Sequence, residues 1–289
     1  MQSSGDFPQY SEENHETWRN FFKEARKSWA THNSIIHPFY RDNAYRLEEF
    51  SNRIPTLDQL NSALSAIGWS SRYVDGLVPG WEIADLLQNK IMPVSRKIRP
   101  AEELHFASEP DLIHDIFGHF PTLFADEYRD LLSRWARPSS ALPIYEGDRA
   151  NYHLNKMMVL YNGLISDKSQ EELILSSKHL CNFLVQNPTP SQTFDKAYFW
   201  IFEFGIIQQA DQRLVLGAGI LSSLNELEKL AFGDCELEEL NSENILESYN
   251  ISSHQDKYLV VPYLDRFHAI LEEIAGSASL NQSGGLHAE

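Results

Sequence analysis

The chain has 289 residues, enough for one large domain or two small ones and for a substantial buried core. A net charge of −17 argues against nucleic acid or an anionic membrane as the main partner, and the acids are spread through apolar periodic sequence, which argues against disorder. Two cysteines, Cys181 and Cys235, are too few for a disulfide framework or a thiolate metal site. No apolar run approaches the roughly 18 residues of a membrane span and no signal peptide opens the chain, so a soluble cytoplasmic protein is expected.

After about ten polar residues, Trp18, Phe21, Phe22, Ala25 and Trp29 recur at helical spacing and predict an amphipathic helix over Ser11 to Ala30. A second helix is expected from His37 toward Phe50. A third opens with a Thr-x-x-Gln capping box at Thr56 and Gln59 and stops at Gly68. Gly68 to Gly80 carries three glycines and a proline and reads as a loop, either an ordinary connection or one that shapes a ligand site. Trp81 to Lys90 reads as a short helix and Ile91 to Ile98 as an extended piece.

Ser108 to Pro121 is the most informative stretch. His114 and His119 stand five residues apart in apolar sequence, with Glu109, Asp111 and Asp115 close by. Pro110 suits a first helical turn and Gly118 a helix end. In an unbroken α-helix the two rings would point about 140° apart, so a break at Gly118 is expected to let them converge. Such a bracketed pair favours a metal site over two unrelated histidines.

Leu123 to Trp135 is expected to be helical, 137–150 a loop, and Tyr152 to Ile165 and Ser169 to Val185 two further helices. Asn187-Pro188-Thr189-Pro190 breaks the chain. Ser191 then caps a long helix to about Gln209, apolar nearly all round and therefore central and buried. Its one mid-helix carboxylate, Glu203, is costly to bury without a partner, and a bound cation would offset it. Arg213 to Leu216 and Lys257 to Val261 read as strands, Ser223 caps a helix, and Tyr263 to Ile274 reads as a helix. Gly276 to Glu289 reads as a polar tail. The Gly-x-Gly at Gly217 and Gly219 lacks the strand–turn–helix setting of a nucleotide-binding fold.

His114, His119 and Glu203 offer two imidazoles and a carboxylate without thiolate. That set suits non-haem Fe(II) with open positions or a catalytic zinc. The His-Glu-x-x-His of zinc proteases is absent, which favours iron, but ligand chemistry alone leaves both metals open.

Glu109 to Pro121 resembles the signature of the pterin-dependent aromatic amino acid hydroxylases, especially the short bacterial phenylalanine hydroxylases. Tyr198 to Gly205 resembles a second signature that ends in the glutamate ligand, and Gly217 to Ser223 a third. Gly68 to Gly80, Pro93-Val94 and Arg99 match the region before the histidines, and the similarity runs from about Tyr10 to about Leu271. The resemblance implies an α+β, predominantly α-helical fold with a few short strands, forming a single catalytic domain over residues 1–275. It implies that His114, His119 and Glu203 hold Fe(II) and that Ser222 orients a ligand histidine. Arg99, held by Asp111, would bind the substrate carboxylate, with Pro110, Phe199 and Gly219 around the substrate ring. Gly76, Leu77, Val78, Tyr198 and Asp115 would cradle a tetrahydropterin, either tetrahydrobiopterin or tetrahydromonapterin, with O₂ as co-substrate in a monooxygenation.

Three departures stand out. Ile83 occupies the position where the family stacks a phenylalanine on the pterin. Phe199 stands for a tryptophan and Ala107 for a threonine. The segment between His119 and Glu203 is longer than usual, adding helical matter around 140–190 as surface decoration, a lid or a partner surface. The resemblance makes phenylalanine the first expected substrate, and the departures open hydroxylation at a ring position other than para, or of tyrosine or tryptophan, as alternatives. A zinc-dependent hydrolase and a non-catalytic binding protein are the rival classes. Without heptads in its tail the chain is expected to be a monomer or weak dimer, with an amino acid as its small-molecule partner.

Overall fold

The computed structural model describes residues 8–105, 109–161, 188–247, 249 and 254–284. Helix α1 (Glu12–Thr31) starts from a capping box in which the Ser11 side chain accepts from Asn14 N and Asn14 returns the bond. Its buried stripe, Trp18, Phe21, Phe22, Ala25 and Trp29, is the one the spacing predicts. The expected second helix is two shorter pieces, α2 (Pro38–Arg41) and a tighter turn over Ala44–Phe50. Helix α3 (Leu57–Ser65) carries the predicted Thr56–Gln59 box.

The stretch read as a loop contains strand β1 (Ser70–Val74), followed by α4 (Gly80–Gln88) and β2 (Ile91–Ser95). β1 and β2 pair in parallel, Ser70 against Ile91 through Val74 against Ser95. The glycines at 68, 76 and 80 fall at the margins of this unit, and the glycine-free residues between them extend because β2 supplies the partner.

Beyond the histidine stretch lies α5 (Asp126–Ser140), whose helix carries Pro138 and runs past the expected end at Trp135. Helix α6 (Glu146–Tyr161) begins inside the stretch expected to be a loop. The helix expected over Ser169 to Val185 lies outside the described residues. Helix α7 (Pro190–Tyr198) is capped by Thr189 with Gln192, not by Ser191, and Pro190 takes the first helical position. The helix does not reach Gln209. It widens over Phe199–Glu203 and ends there, and β3 (Ile206–Gln209) follows.

β3 pairs antiparallel with β4 (Gln212–Val215). The short α8 (Ala218–Leu221) and α9 (Leu224–Phe232) lead to β5 (Glu236–Glu239) and β6 (Lys257–Val261). The sheet order is β4-β3-β6-β5, with β6 parallel to both neighbours. The last helix, α10 (Leu264–Gly284), continues ten residues beyond Ile274, where a polar tail was expected. The architecture is α+β and mainly helical, as expected.

The buried cluster runs from the α1 stripe through Phe117, Phe120 and Trp135 to Phe194, Ile201 and Phe202. It holds the functional stretch from behind. Phe117 sits against Trp18 (ring centroids 4.5 Å), Phe21 (4.8 Å) and Phe22 (5.7 Å) of α1. Aromatic pairs of this kind contribute about 0.5–1.5 kcal/mol each beyond area burial.

Candidate metal centre and its cavity

His114–His119 does not break at Gly118. It forms one wide turn of π-helix, with Gly118 buried inside it. A π turn bonds residue i to i+5, which sets the two histidines one above the other instead of about 140° apart. Two contacts stabilise this rare turn: the docked Phe117 ring, and the Tyr40 hydroxyl, which donates to the Phe117 carbonyl at 2.6 Å. Gly118 is needed for a different reason from the one the sequence suggests. A Cβ there would stand 2.6 Å from the Ala218 carbonyl oxygen, so only glycine lets α8 approach this closely.

The second wide turn, Phe199–Glu203, brings in the carboxylate. His114 Nε2 lies 3.1 Å from Glu203 Oε2, His119 Nε2 lies 3.1 Å from Glu203 Oε1, and the two Nε2 atoms are 3.2 Å apart. With metal–ligand bonds of about 2.0–2.2 Å, adjacent donors are roughly 2.8–3.1 Å apart at right angles and roughly 3.3–3.6 Å apart in a tetrahedron. Each imidazole faces a different Glu203 oxygen, so these spacings bring all three side chains within reach of one cation without outlining a single coordination geometry. Burial by itself would push the Glu203 carboxyl up, but the two imidazoles hold it well below the ordinary carboxylate range.

Ser222 settles which nitrogen of His114 faces the metal position. Its Oγ donates to the Ala218 carbonyl (2.7 Å), so toward His114 Nδ1 (3.0 Å) it accepts. Nδ1 therefore carries the proton and Nε2 keeps its lone pair for a cation. Asp111 is the second organiser. Its carboxylate accepts from Arg99 N (2.7 Å), Nε (3.1 Å) and Nη2 (2.7 Å) and from His114 N (3.0 Å). Burial favours the neutral Asp111 acid, but Arg99 outweighs it and keeps the carboxyl below its usual range.

A pocket with about 680 Å³ of empty space, open solvent included, lies in front of the three donors. Of the expected residues, Gly76, Leu77, Val78 and Ile83 line one wall, and Pro110, Asp115 and Tyr198 line others. Gly76 has φ +64°, a conformation in which side chains are strained. Asp115 accepts from Ser95 N at 2.6 Å, and burial pushes its carboxyl up to about 6 against the opposing pull of His114. Burial and the nearby Glu203 push the Tyr198 hydroxyl well above its ordinary value, so it is a protonated donor.

Five expected residues are not on the cavity wall. Ser222 and Asp111 act behind it, as described. Arg99 is 3% exposed and turned to Asp111, with Nη1 only 3.4 Å from the Leu104 carbonyl. Phe199 is stacked between Tyr249 (centroids 3.5 Å) and Phe204 (4.7 Å). Gly219 packs α8 onto the second wide turn, where a Cβ would meet the Glu203 carbonyl oxygen at 2.9 Å. Sequence reasoning missed Tyr128 and Leu132, which line the cavity one helical turn apart on α5. Tyr128 is fully buried, with its hydroxyl beside the Thr122 side chain. The i, i+4 spacing of apolar residues was the signal, and it reads equally as ordinary core.

Fold and donor set together define a candidate site for one metal ion, with two histidines and one carboxylate as donors, in a mainly helical α+β domain. The profile of the family described as biopterin-dependent aromatic amino acid hydroxylase matches residues 6–134 and 176–282, and the chain belongs to that family. It is 27% identical over 290 residues to the phenylalanine-4-hydroxylase of Pseudomonas aeruginosa, covering 98% of this chain and 91% of that one. It is 25% identical over 260 residues to the enzyme of that name from Mesorhizobium japonicum, covering 89% of this chain and 78% of that one. Phenylalanine hydroxylase of Chromobacterium violaceum, in a structure with bound iron(III) and oxidised 7,8-dihydrobiopterin, shares the fold with TM-score 0.69 at 22% identity, over 99% of this chain and 89% of that one. Among the described residues no helix is long and apolar enough to cross a membrane.

Proposed function

We propose that the protein is an iron- and tetrahydropterin-dependent monooxygenase that hydroxylates the ring of an aromatic amino acid, with phenylalanine as first substrate. The observation that carries this reading is the convergence of His114, His119 and Glu203 at the head of a largely apolar cavity. Bound there, Fe(II) with a tetrahydropterin supplies the electrons and O₂ activation that ring hydroxylation requires, and the hard chemistry belongs to the cofactors.

The chain's own residues supply geometry and exclude water. Ser222 holds His114 in the metal-binding tautomer, and the Glu203 carboxylate offsets cation charge. Gly76, Leu77, Val78 and Ile83, with Asp115 and Tyr198, form the pterin side. Leu123 and Pro110 dry the space in front of the metal. Arg99 is assigned to the substrate carboxylate through Nη1, which would exchange its long bond to the Leu104 carbonyl for the substrate while Asp111 keeps Nε and Nη2. The unmatched interval 135–175 supports an inserted segment in an otherwise single catalytic domain. A monomer or weak dimer is the assembly we assign.

The Tyr128 hydroxyl, buried at the cavity wall, supports a second reading, a substrate whose ring carries a polar atom, such as tyrosine or tryptophan. Anaerobic loading with iron, followed by incubation with O₂, tetrahydrobiopterin and phenylalanine, tyrosine or tryptophan in turn, decides between them. Mass spectrometry and NMR of the product are expected to show one added ring oxygen, coupled to pterin oxidation. Stoichiometric zinc with hydrolytic activity and no iron dependence would overturn the proposal.

A further inference from the structure

Helix α6 lies within the interval that the family profile leaves unmatched, yet it touches the cavity-lining loop directly. The Tyr152 hydroxyl donates to the Leu77 carbonyl at 2.7 Å. The same ring packs edge-on to Trp81 in the first turn of α4, with centroids 5.7 Å apart. Tyr152 therefore spans the five-residue connection 75–79 from its middle to the helix that follows. Lys156 Nζ donates to the Tyr152 oxygen at 3.3 Å, and a cation on that oxygen makes the phenol a better donor.

The other anchor of α6 faces the metal side. Thr189 caps α7, and its hydroxyl donates to Asp148 Oδ1 at 2.5 Å, while Asp148 Oδ2 accepts from Tyr145 N at 2.8 Å. α7 leads into the turn that carries Glu203. One end of α6 is thus fastened to the element that delivers a metal ligand and its middle to the loop that lines the opposite wall.

We propose that α6 is a built-in clamp for the cofactor-side loop and that Tyr152 is a positioning residue, setting the Gly76–Val78 backbone through the Leu77 carbonyl. Helix α6 then serves cofactor affinity rather than decorating the surface. Gly76 makes such a clamp necessary, because glycine loses more conformational freedom on ordering than any other residue. A loop held before the ligand arrives binds more tightly, since its ordering cost is already met. The proposal rests on the pterin reading of this wall.

The test compares iron-loaded wild type, Tyr152→Phe and the control Arg149→Ala, which changes an exposed residue of the same helix. The probes are 7,8-dihydrobiopterin by calorimetry and amide hydrogen exchange of residues 76–78. Tyr152→Phe keeps the ring against Trp81 and removes the bond to the Leu77 carbonyl together with the one from Lys156, so the dissociation constant is expected to rise about three- to tenfold. Exchange at Leu77 and Val78 should quicken, while Tm, iron content and the KM for the amino acid stay at wild-type values, as they do in the control. A merely structural tyrosine would instead lower Tm and speed exchange throughout the domain, and that result overturns the proposal. An unchanged dissociation constant overturns it too. If the wild type itself binds no dihydrobiopterin, the cofactor reading falls and takes the clamp with it.

Discussion

Replacing Ser222 with alanine removes one oxygen that sits between a metal ligand and the backbone of α8. The Ala218 carbonyl loses little, because Ser222 N still donates to it at 3.0 Å. The loss falls on His114, whose buried Nδ1–H is left without its 3.0 Å acceptor. An orphaned buried donor costs about 1–3 kcal/mol, and the ring is then free to rotate or to change tautomer. Loss of such a partner behind a ligand histidine lowers metal affinity about 10- to 100-fold, or about 1.4–2.8 kcal/mol. Anaerobic titration of metal-free Ser222→Ala with Fe(II), and with Co(II) as a spectroscopic substitute, measures this directly. A dissociation constant within twofold of wild type would refute the argument that Ser222 fixes the His114 tautomer.

Two further outcomes follow from other parts of the site. Gly118→Ala would place a methyl 2.6 Å from the Ala218 carbonyl oxygen and 2.9 Å from its Cβ, so α8 must move off the wide turn. Overpacking of this kind costs about 1–3 kcal/mol, and calorimetry should show Tm lowered by about 2–4 °C per kcal/mol, together with weaker metal binding. An unchanged Tm would show that α8 has room to spare. Burial, aided by Asp148, pushes the Asp195 carboxyl from 3.8 up to about 7. Its folded-state preference for the proton adds stability below pH about 4 that fades as pH rises through about 7. Thermal melts of Asp195→Asn should therefore lose less Tm between pH 5 and pH 8 than wild type, and equal losses would contradict the assignment.

The capping boxes show how much of the local structure was legible. Thr56–Gln59 is readable because a short polar side chain and a glutamine three residues on satisfy orphan amides without outside help. At α7 the same logic applies but two candidates compete, and Thr189 prevails over Ser191 because Pro190 belongs at the first helical position. β1 was illegible for the opposite reason. Its residues extend only because β2 stands beside them, and the glycines around them dominate any local reading. Tyr128 and Tyr152 were missed because neither carries a local signature that marks it as a site residue. One matters through a cavity wall, the other through a carbonyl 75 positions away.

What the sequence by itself determined was the donor chemistry: two imidazoles five residues apart and one carboxylate in an otherwise apolar helix, types and spacings that local physics makes costly unless a cation binds. Only the tertiary structure decided how they meet. Convergence required a wide turn rather than a break, and that turn exists because Phe117 docks on α1, Tyr40 takes its carbonyl, and α8 presses against Gly118. These contacts join residues dozens to a hundred positions apart, and no local periodicity records them.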